Sequence, residues 1–196
     1  MSNLAVIPAR GGSKRLPRKN IRLFGGKPMI VWTIEAAVNS GLFADVVVST
    51  DDWEIAGIAE DAGASVPFMR EDALADDYTP TSLVTLDVVE RLPGYLRVCQ
   101  LMPNSPLRNF QDIQDSFVAF MHSGADAQIS VSDYGWTNPW WAMAADGRRL
   151  FENKVLSRSQ DLPDLFCPTG AIWWTTVDAL KTYKTFYAPK TAHYVL

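Results

Sequence analysis

Short apolar runs alternate with longer segments of helical spacing along the first two thirds of the chain, and this alternation limits the possible folds more than any other feature. Five such runs are typical of buried strands: Leu4–Pro8, Asp45–Ser49, Ser65–Met69, Leu96–Leu101 and Gln128–Val131. Strands that alternate with helices in this way form a mostly parallel sheet with helices packed against it. The sequence therefore predicts an α/β fold.

Four helices are predicted between these strands. Each begins near a proline or a capping residue, and they lie at about Pro28–Gly41, Asp52–Ala62, Thr79–Leu92 and Asn109–Ser123. The length of 196 residues fits one domain, so we expect residues 1–196 to fold as a single unit.

The pattern changes after Asp133. Trp136, Pro139, Trp140 and Trp141 lie close together, and an irregular stretch follows. We interpret residues 133–170 as an insertion and not as another strand and helix. Because exposed aromatic residues often mark contacts, a dimerisation arm is one interpretation, and a small local core within one chain is the other.

Composition excludes several classes of function. A formal net charge of −4 argues against broad nucleic-acid binding, and no apolar run approaches the roughly 18 residues that cross a bilayer. Met1–Val6 lacks the features of a signal peptide, so we expect a cytoplasmic protein with no membrane partner. Cys99 and Cys167 lie far apart and suggest neither a disulfide framework nor a zinc site.

The strongest local signal is the loop that follows the first strand, residues Pro8–Asn20. Gly11 and Gly12 allow backbone N–H groups to approach an anion closely. Five cations fall within ten residues and would repel one another unless something negative lies among them: Arg10, Lys14, Arg15, Arg18 and Lys19. The spacing fits neither the P-loop nor the GxGxxG motif. A polyphosphate site is favoured over a solvated basic loop.

The same loop resembles the opening of the N-acylneuraminate cytidylyltransferase family. Ile7–Lys14, Pro17–Asn20 and Gly26–Ile30 match that opening almost residue for residue. Later matches follow in order, at Val48–Asp52, Arg70 with Leu74–Asp77, Pro103–Arg108, Arg158–Pro163 and Pro168–Ile172. Together they cover most of the chain.

The resemblance implies a three-layer α/β/α sandwich of the glycosyltransferase-A type, usually assembled as a homodimer. It also implies that CTP is coupled to a nine-carbon keto-acid sugar, with release of pyrophosphate. The catalytic residues would be Arg10, Lys14 and Lys19. The nucleotide would be bound by Ala9, Arg10, Gly11, Ser13, Lys14, Lys19, Asn20, Arg70, Thr79 and Thr81. For Arg70, a surface ion pair with Glu71 or Asp72 is the alternative.

On the sugar side, the residues implied are Met102, Asn104, Ser105, Arg158 and Trp173. A guanidinium suits a carboxylate well, so Arg158 would pair with the acid of the sugar unless it is an ordinary surface residue. Met102 stands where neuraminate-activating relatives carry Gln, and Thr169 and Trp173 also depart from the usual residues. The neuraminate, legionaminate and pseudaminate types all remain open.

The resemblance also implies Mg²⁺, held by an acidic motif that in relatives lies beyond the position of Leu196. Asp51 and Asp52 form another carboxylate pair near the expected site, for which helix capping is an equal explanation. His122 and His193 are too isolated to propose as bases. Two rival functions remain, a 3-deoxy-manno-octulosonate cytidylyltransferase and a non-catalytic CTP-binding module.

Overall fold

The computed structural model describes residues 2–14, 16–152 and 157–196. A six-stranded sheet forms its centre, with strands β1 (Asn3–Pro8), β4 (Asp45–Ser49), β5 (Arg97–Gln100), β6 (Ala127–Asp133), β7 (Phe166–Thr176) and β8 (Thr191–Val195). A separate two-stranded hairpin consists of β2 (Leu23–Phe24) and β3 (Lys27–Pro28). The helices are α1 (Met29–Ser40), α2 (Trp53–Asp61), α3 (Thr81–Arg91), α4 (Phe110–Ser123) and α5 (Val177–Tyr183).

The strand order in the large sheet is β4-β1-β5-β7-β6-β8. β1 pairs in parallel with β4 and β5, and β6 pairs in parallel with β8. Only β7 runs against its neighbours, β5 and β6, among the strands that the structure describes. The prediction of a mostly parallel sheet is confirmed.

Alternation along β1 shows why the fold has three layers. Ala5 and Ile7 face one buried cluster, whereas Leu4 and Val6 face another, as period-two side chains of a doubly buried strand must. α1, α2 and α4 contribute to the first cluster, and α3 and α5 to the second. The predicted α/β/α sandwich is therefore confirmed.

The last third of the chain departs most from the sequence-based expectations. The predicted insertion was placed at residues 133–170, but its final part is wrong, because Phe166, Cys167 and Pro168 pair with β6 as the beginning of β7. Residues 134–152 and 157–165 lie outside the large sheet. They include a short 3-10 helix at Pro139–Trp141 and another at Ser159–Asp161, while residues 153–156 fall outside the described part of the chain.

The predicted strand at Ser65–Met69 is also wrong. Only Ser65 bridges Val47, and the segment continues irregularly from there. Pro67 supplies no N–H group to a ladder, which explains why an apolar run stops pairing here. The four predicted helices are confirmed to within about two residues at each end.

Candidate functional site

The loop that follows β1 is closed at its base by a buried asparagine. Asn20 is 6% exposed, and its Nδ2 donates to the carbonyl oxygen of Arg10 at 2.9 Å. A short 3-10 helix, Lys19–Ile21, places this side chain. The bond joins the two ends of the loop and so fixes Arg10 and Lys19 at the carboxyl end of β1, where open α/β folds bind ligands.

Gly11 is required by a close approach to the end of β4. Its backbone N–H donates to Oδ1 of Asp51 at 2.9 Å. A Cβ atom at this position would lie 2.5 Å from Oδ2 of Asp52, so any larger residue would force the Asp52 side chain to move. Gly11 therefore shapes the loop, and it lies next to these two aspartates and not among the residues that line the cavities described below.

Asp52 caps α2, as the capping interpretation of the aspartate pair predicted. Its Oδ1 accepts from the backbone N–H groups of Glu54 and Ile55, each at 3.0 Å. Arg18 forms ion pairs with Asp52 and Glu54. These bonds, the one to Arg18 above all, hold the pKa of Asp52 below its ordinary value of 3.8. The carboxylates of Asp51 and Asp52 therefore both bind groups of the protein itself.

Replacing Asp52 by alanine should lower the free energy of unfolding by about 1–2 kcal/mol, because α2 loses its cap and Arg18 a partner. The folded pKa is depressed, so the contribution is complete above pH 3.8 and is lost as the pH falls through the folded value. Urea unfolding at pH 7 and at a series of pH values below 3.8 measures the difference between Asp52→Ala and wild type.

Asp61→Ala, at the exposed end of the same helix, is the matched control and should change stability by less than about 0.5 kcal/mol. An equal loss in both variants, or a loss for Asp52→Ala that does not shrink as the pH falls below 3.8, would contradict the capping role.

A carboxylate lies among the cations of the loop. Asp77 forms ion pairs with Arg10, at 2.7 Å between Nη2 and Oδ1, and with Lys14. Nη1 of Arg10 also donates to the carbonyl oxygen of Asp76. Lys14 and then Arg10 lower the pKa of Asp77, which therefore stays ionised. The cations of the loop were expected to need a negative charge among them, and in this structure Asp77 supplies it.

Arg70 reaches the same region from the segment after α2. It is 6% exposed, its Nε donates to Oγ of Ser49 at 3.0 Å, and its Nη2 donates to the Ser49 carbonyl oxygen. Burial lowers its pKa to about 10. The alternative of a surface ion pair with Glu71 or Asp72 is wrong, because the side chain is buried and Glu71 pairs with Arg91.

Two adjoining cavities open above this loop. The inner cavity, of about 230 Å³, is lined by residues that include Arg10, Lys19, Asn20, Arg70, Thr79, Thr81, Met102 and Asn104. The outer cavity, of about 570 Å³, is lined by Arg10, Ser13, Lys14, Leu16, Lys19, Asn20, Asp77 and Asn104. Eight of the ten predicted nucleotide residues therefore lie around one connected space. The two exceptions are Ala9, which is fully buried, and Gly11. Arg15, the remaining cation of the loop, lies outside the described residues.

The predicted sugar residues divide into two groups. Met102 and Asn104 line the inner cavity. Ser105 and Asn104 line a third cavity of about 420 Å³, which we call the side cavity, together with Pro106, Leu107, Arg108, Asp112, Thr169, Ala171 and Leu196. Asn104 thus lies where all three cavities meet.

The structure does not bring Arg158 or Trp173 to these cavities. Arg158 pairs with Asp161 at 2.7 Å, its side chain is 72% exposed, and it belongs to the insertion. Trp173 packs against Phe186 and Tyr187 in the layer formed by α3 and α5. The family motif did not reveal either position, although the three-residue spacing of Arg158 and Asp161 is compatible with an ion pair.

Two residues of the site were quoted in the sequence matches without any role. Asp77 partners the loop cations, and Arg108 is 6% exposed beside the side cavity. The signal for Asp77 was the excess of positive charge in the loop, which required an anion nearby. A charged residue directly before a predicted helix gave no comparable signal for Arg108.

The described residues, 2–14, 16–152 and 157–196, contain no group of three or more His, Cys, Asp or Glu side chains arranged to hold a metal ion. Across the same residues, every helix is too short or too polar to span a bilayer.

Comparison with known proteins gives consistent matches. A family model described as cytidylyltransferase matches residues 4–162. Pseudaminic acid cytidylyltransferase of Campylobacter jejuni is 35% identical, over 100% of this chain and 88% of the relative. The CMP-N,N'-diacetyllegionaminic acid synthase of Legionella pneumophila is also 35% identical, over 97% and 85%. N-acylneuraminate cytidylyltransferase of Streptococcus agalactiae is 31% identical, over 99% and 48%.

Among solved structures, CMP:2-keto-3-deoxy-manno-octonic acid synthetase complexed with CTP superposes with a TM-score of 0.75. The match covers 100% of this chain and 91% of that protein at 17% identity. This likeness concerns the fold.

Proposed function

This chain belongs to the cytidylyltransferase family, and from that premise we propose that it couples CTP to a nine-carbon 2-keto acid sugar of the pseudaminate, legionaminate or neuraminate type. The observation that carries the proposal is the connected space lined by Arg10, Lys14, Lys19 and Arg70, which offers cationic donors to a polyphosphate. The relatives' names supply the class of acceptor.

The reaction is a substitution at phosphorus. The oxygen of the sugar's anomeric 2-hydroxyl forms a bond to the α-phosphorus of CTP, and its proton is lost to solvent. The bond from the α-phosphorus to the oxygen that bridges the β-phosphate breaks, and pyrophosphate leaves with that oxygen. The protein forms no covalent bond, so catalysis rests on positioning and on stabilisation of charge.

The loop cations take the triphosphate in this proposal. Arg10, Lys14 and Lys19 offset the negative charge that moves onto the leaving pyrophosphate. Arg70, Thr79 and Thr81 line the inner cavity, whose smaller volume suits the nucleoside. Asn104 lies between this nucleotide space and the side cavity, and so at the place where the acceptor hydroxyl has to meet the α-phosphate.

Mg²⁺ is proposed as the accompanying cation. The described residues hold no cluster of three acidic or metal-binding side chains, so a preformed magnesium cage does not fit them. Magnesium bound to nucleotides usually takes most of its ligands from phosphate oxygens and water. When bound, the ion offsets phosphate charge, and we assign no further step to it.

Pyrophosphate release tests the proposal. Wild-type protein is given CTP and Mg²⁺ with pseudaminic, legionaminic, N-acetylneuraminic or 3-deoxy-manno-octulosonic acid in separate reactions. Turnover with at least one nine-carbon acid, and less with the eight-carbon acid, is expected. Turnover with the eight-carbon acid alone would support the octulosonate alternative. CTP binding without any turnover would support a binding module.

Asp77 competes with the triphosphate for the same cations. Replacing it by asparagine removes the negative charge from Arg10 and Lys14 with little change of shape. Because exposed ion pairs contribute up to about 1 kcal/mol, metal-free CTP should bind Asp77→Asn about threefold more tightly than wild type. Calorimetry without Mg²⁺ measures this, with Asp72→Asn as an exposed acidic control. Weaker binding by Asp77→Asn would show that the carboxylate assists the nucleotide instead.

A homodimer formed through the insertion is also proposed. Trp136 is 94% exposed, and Met143 and Leu150 are 59% and 50% exposed in the same segment. Such a surface favours a protein contact.

Light scattering should show a dimer for wild type and a monomer for Trp136→Asp. Trp53→Asp, which changes another exposed tryptophan outside the insertion, should leave the dimer intact. A wild-type monomer, or a dimer that survives Trp136→Asp, would contradict the proposed interface.

A further inference from the structure

Arg108 carries a buried charge that stability alone does not explain. Its side chain is 6% exposed, and burial lowers the pKa of its guanidinium to about 10. Among the described residues, its Nε and Nη2 groups have no hydrogen-bond partner. Such groups are costly to bury, and an apolar residue of similar volume would avoid the cost. A buried guanidinium with two unsatisfied donor groups is therefore a candidate for a functional role.

The contacts that Arg108 does make hold one loop in place. Its Nη1 donates to the carbonyl oxygen of Ala171 in β7 and lies 3.5 Å from the carbonyl oxygen of Met102. Its backbone N–H donates to the carbonyl oxygen of Ser105 at 3.2 Å. One residue thus joins the beginning, the middle and the end of the Met102–Arg108 loop to the neighbouring strand.

The loop that Arg108 holds carries Asn104, which lines all three cavities, and Ser105, which lines the side cavity. The titratable groups that act on the guanidinium are Asp112 and the thiol of Cys99. Asp112 lies in the first turn of α4 and accepts from the backbone N–H of Asn109, and the Cys99 thiol is fully buried. Arg108 lines neither the inner nor the outer cavity, so it is not placed to touch the nucleotide.

We propose that Arg108 is a positioning residue for acceptor recognition, which fixes Asn104 and Ser105 at the junction of the nucleotide space and the side cavity. The inference rests on the proposed function. It assigns the acceptor sugar, and not CTP, as the substrate whose binding depends on Arg108. A displacement of about 1 Å in such a loop is enough to reduce turnover strongly, because the acceptor hydroxyl has to meet the α-phosphorus in line.

Steady-state kinetics of two variants test this. Arg108→Met keeps the approximate volume and removes every donor, whereas Arg108→Lys keeps the charge and one donor for Ala171. Arg108→Met should raise KM for the sugar acid about tenfold or more and lower kcat, with KM for CTP changed less than about twofold. Arg108→Lys should restore part of the loss. Equal changes in both KM values, or no change in either, would overturn the proposal.

Gln128→Met is the matched control for general destabilisation. Gln128 is 1% exposed in β6 and donates to the Ser116 carbonyl oxygen at 2.8 Å, away from the three cavities. The Gln128→Met substitution should lower Tm without changing the ratio of KM for the sugar acid to KM for CTP. If this control shifts the ratio as Arg108→Met does, the effect is a general loss of stability and the proposal fails.

A double-mutant cycle keeps the proposal testable if Arg108→Met does not fold. The loss caused by Arg108→Lys in KM for the sugar acid should be at least about threefold smaller in an Asn104→Ala background, because the two residues act through one loop. Additive losses would overturn the inference. Wild-type turnover is measured first, so that a wild type inactive with every acid refutes the proposed function, whereas an active wild type with additive variants refutes only the role of Arg108.

Discussion

Replacing Lys14 by alanine should reduce kcat/KM for CTP by about 100-fold, a loss of roughly 2.7 kcal/mol in transition-state stabilisation. The Lys14 side chain is 81% exposed at the outer cavity and is held there by Asp77. An exposed lysine contributes little to folding, so the variant should unfold as wild type does. The loss of kcat/KM should therefore arise in the chemical step, in which negative charge develops on the leaving pyrophosphate.

The measurement is initial rates of pyrophosphate release at varied CTP, with unfolding curves for the same preparations. Lys181→Ala removes an exposed lysine from α5, outside the lining of the cavities, and should retain wild-type kinetics. Wild-type kinetics for Lys14→Ala would remove the loop from the catalytic machinery, whereas a rise in KM with unchanged kcat would limit Lys14 to binding.

Replacing Trp174 by alanine should lower the free energy of unfolding by about 3–5 kcal/mol. Trp174 is fully buried in β7, stacked on Phe43 at 5.4 Å between ring centroids and packed against Phe117 and Phe120 at 4.9 and 6.1 Å. Loss of the indole leaves a space that these three rings, two of them on α4, cannot fill. Much of the total stability of an ordinary domain would be lost.

Urea unfolding followed by circular dichroism measures this effect. Trp53, which is 77% exposed at the beginning of α2, provides the matched control, and Trp53→Ala should cost less than about 0.5 kcal/mol. A loss below 1 kcal/mol for Trp174→Ala would mean that the aromatic cluster does not hold β7 against α4 as the packing indicates.

In the first two thirds of the chain, the strands of the large sheet were predictable because each is a short apolar run bounded by clear helix signals. β1 and β4 were predicted to within one residue. β7 was not recognised as a strand, since Pro168 and Gly170 interrupt its pattern and none of the residues of its first half is fully buried. β8 was missed for a related reason, because its residues are mostly half-exposed and show no apolar run.

The residues of the site also divide into those that the sequence could predict and those that it could not. Arg10, Lys14, Lys19 and Asn20 follow a single strand, so sequence order alone brings them together. The pairing of Asp77 with two of these cations depends on the approach of a segment about sixty positions later, which no local pattern encodes. Arg158 is the opposite case. It matches a motif of the family, but its side chain forms an ion pair with Asp161 and lines neither the inner nor the outer cavity.

The position of β7 has a consequence for how the protein is made. β7 lies between β5 and β6 in the sheet, although both precede it in the chain. During synthesis from the N-terminus, β4, β1 and β5 can pair early, but the β5 edge stays open and β6 has no partner until residues 166–176 leave the ribosome. An open edge of this kind invites pairing with other chains. Nascent chains that stall before Thr176 should therefore depend on chaperones, whereas chains released beyond it can close the sheet unaided.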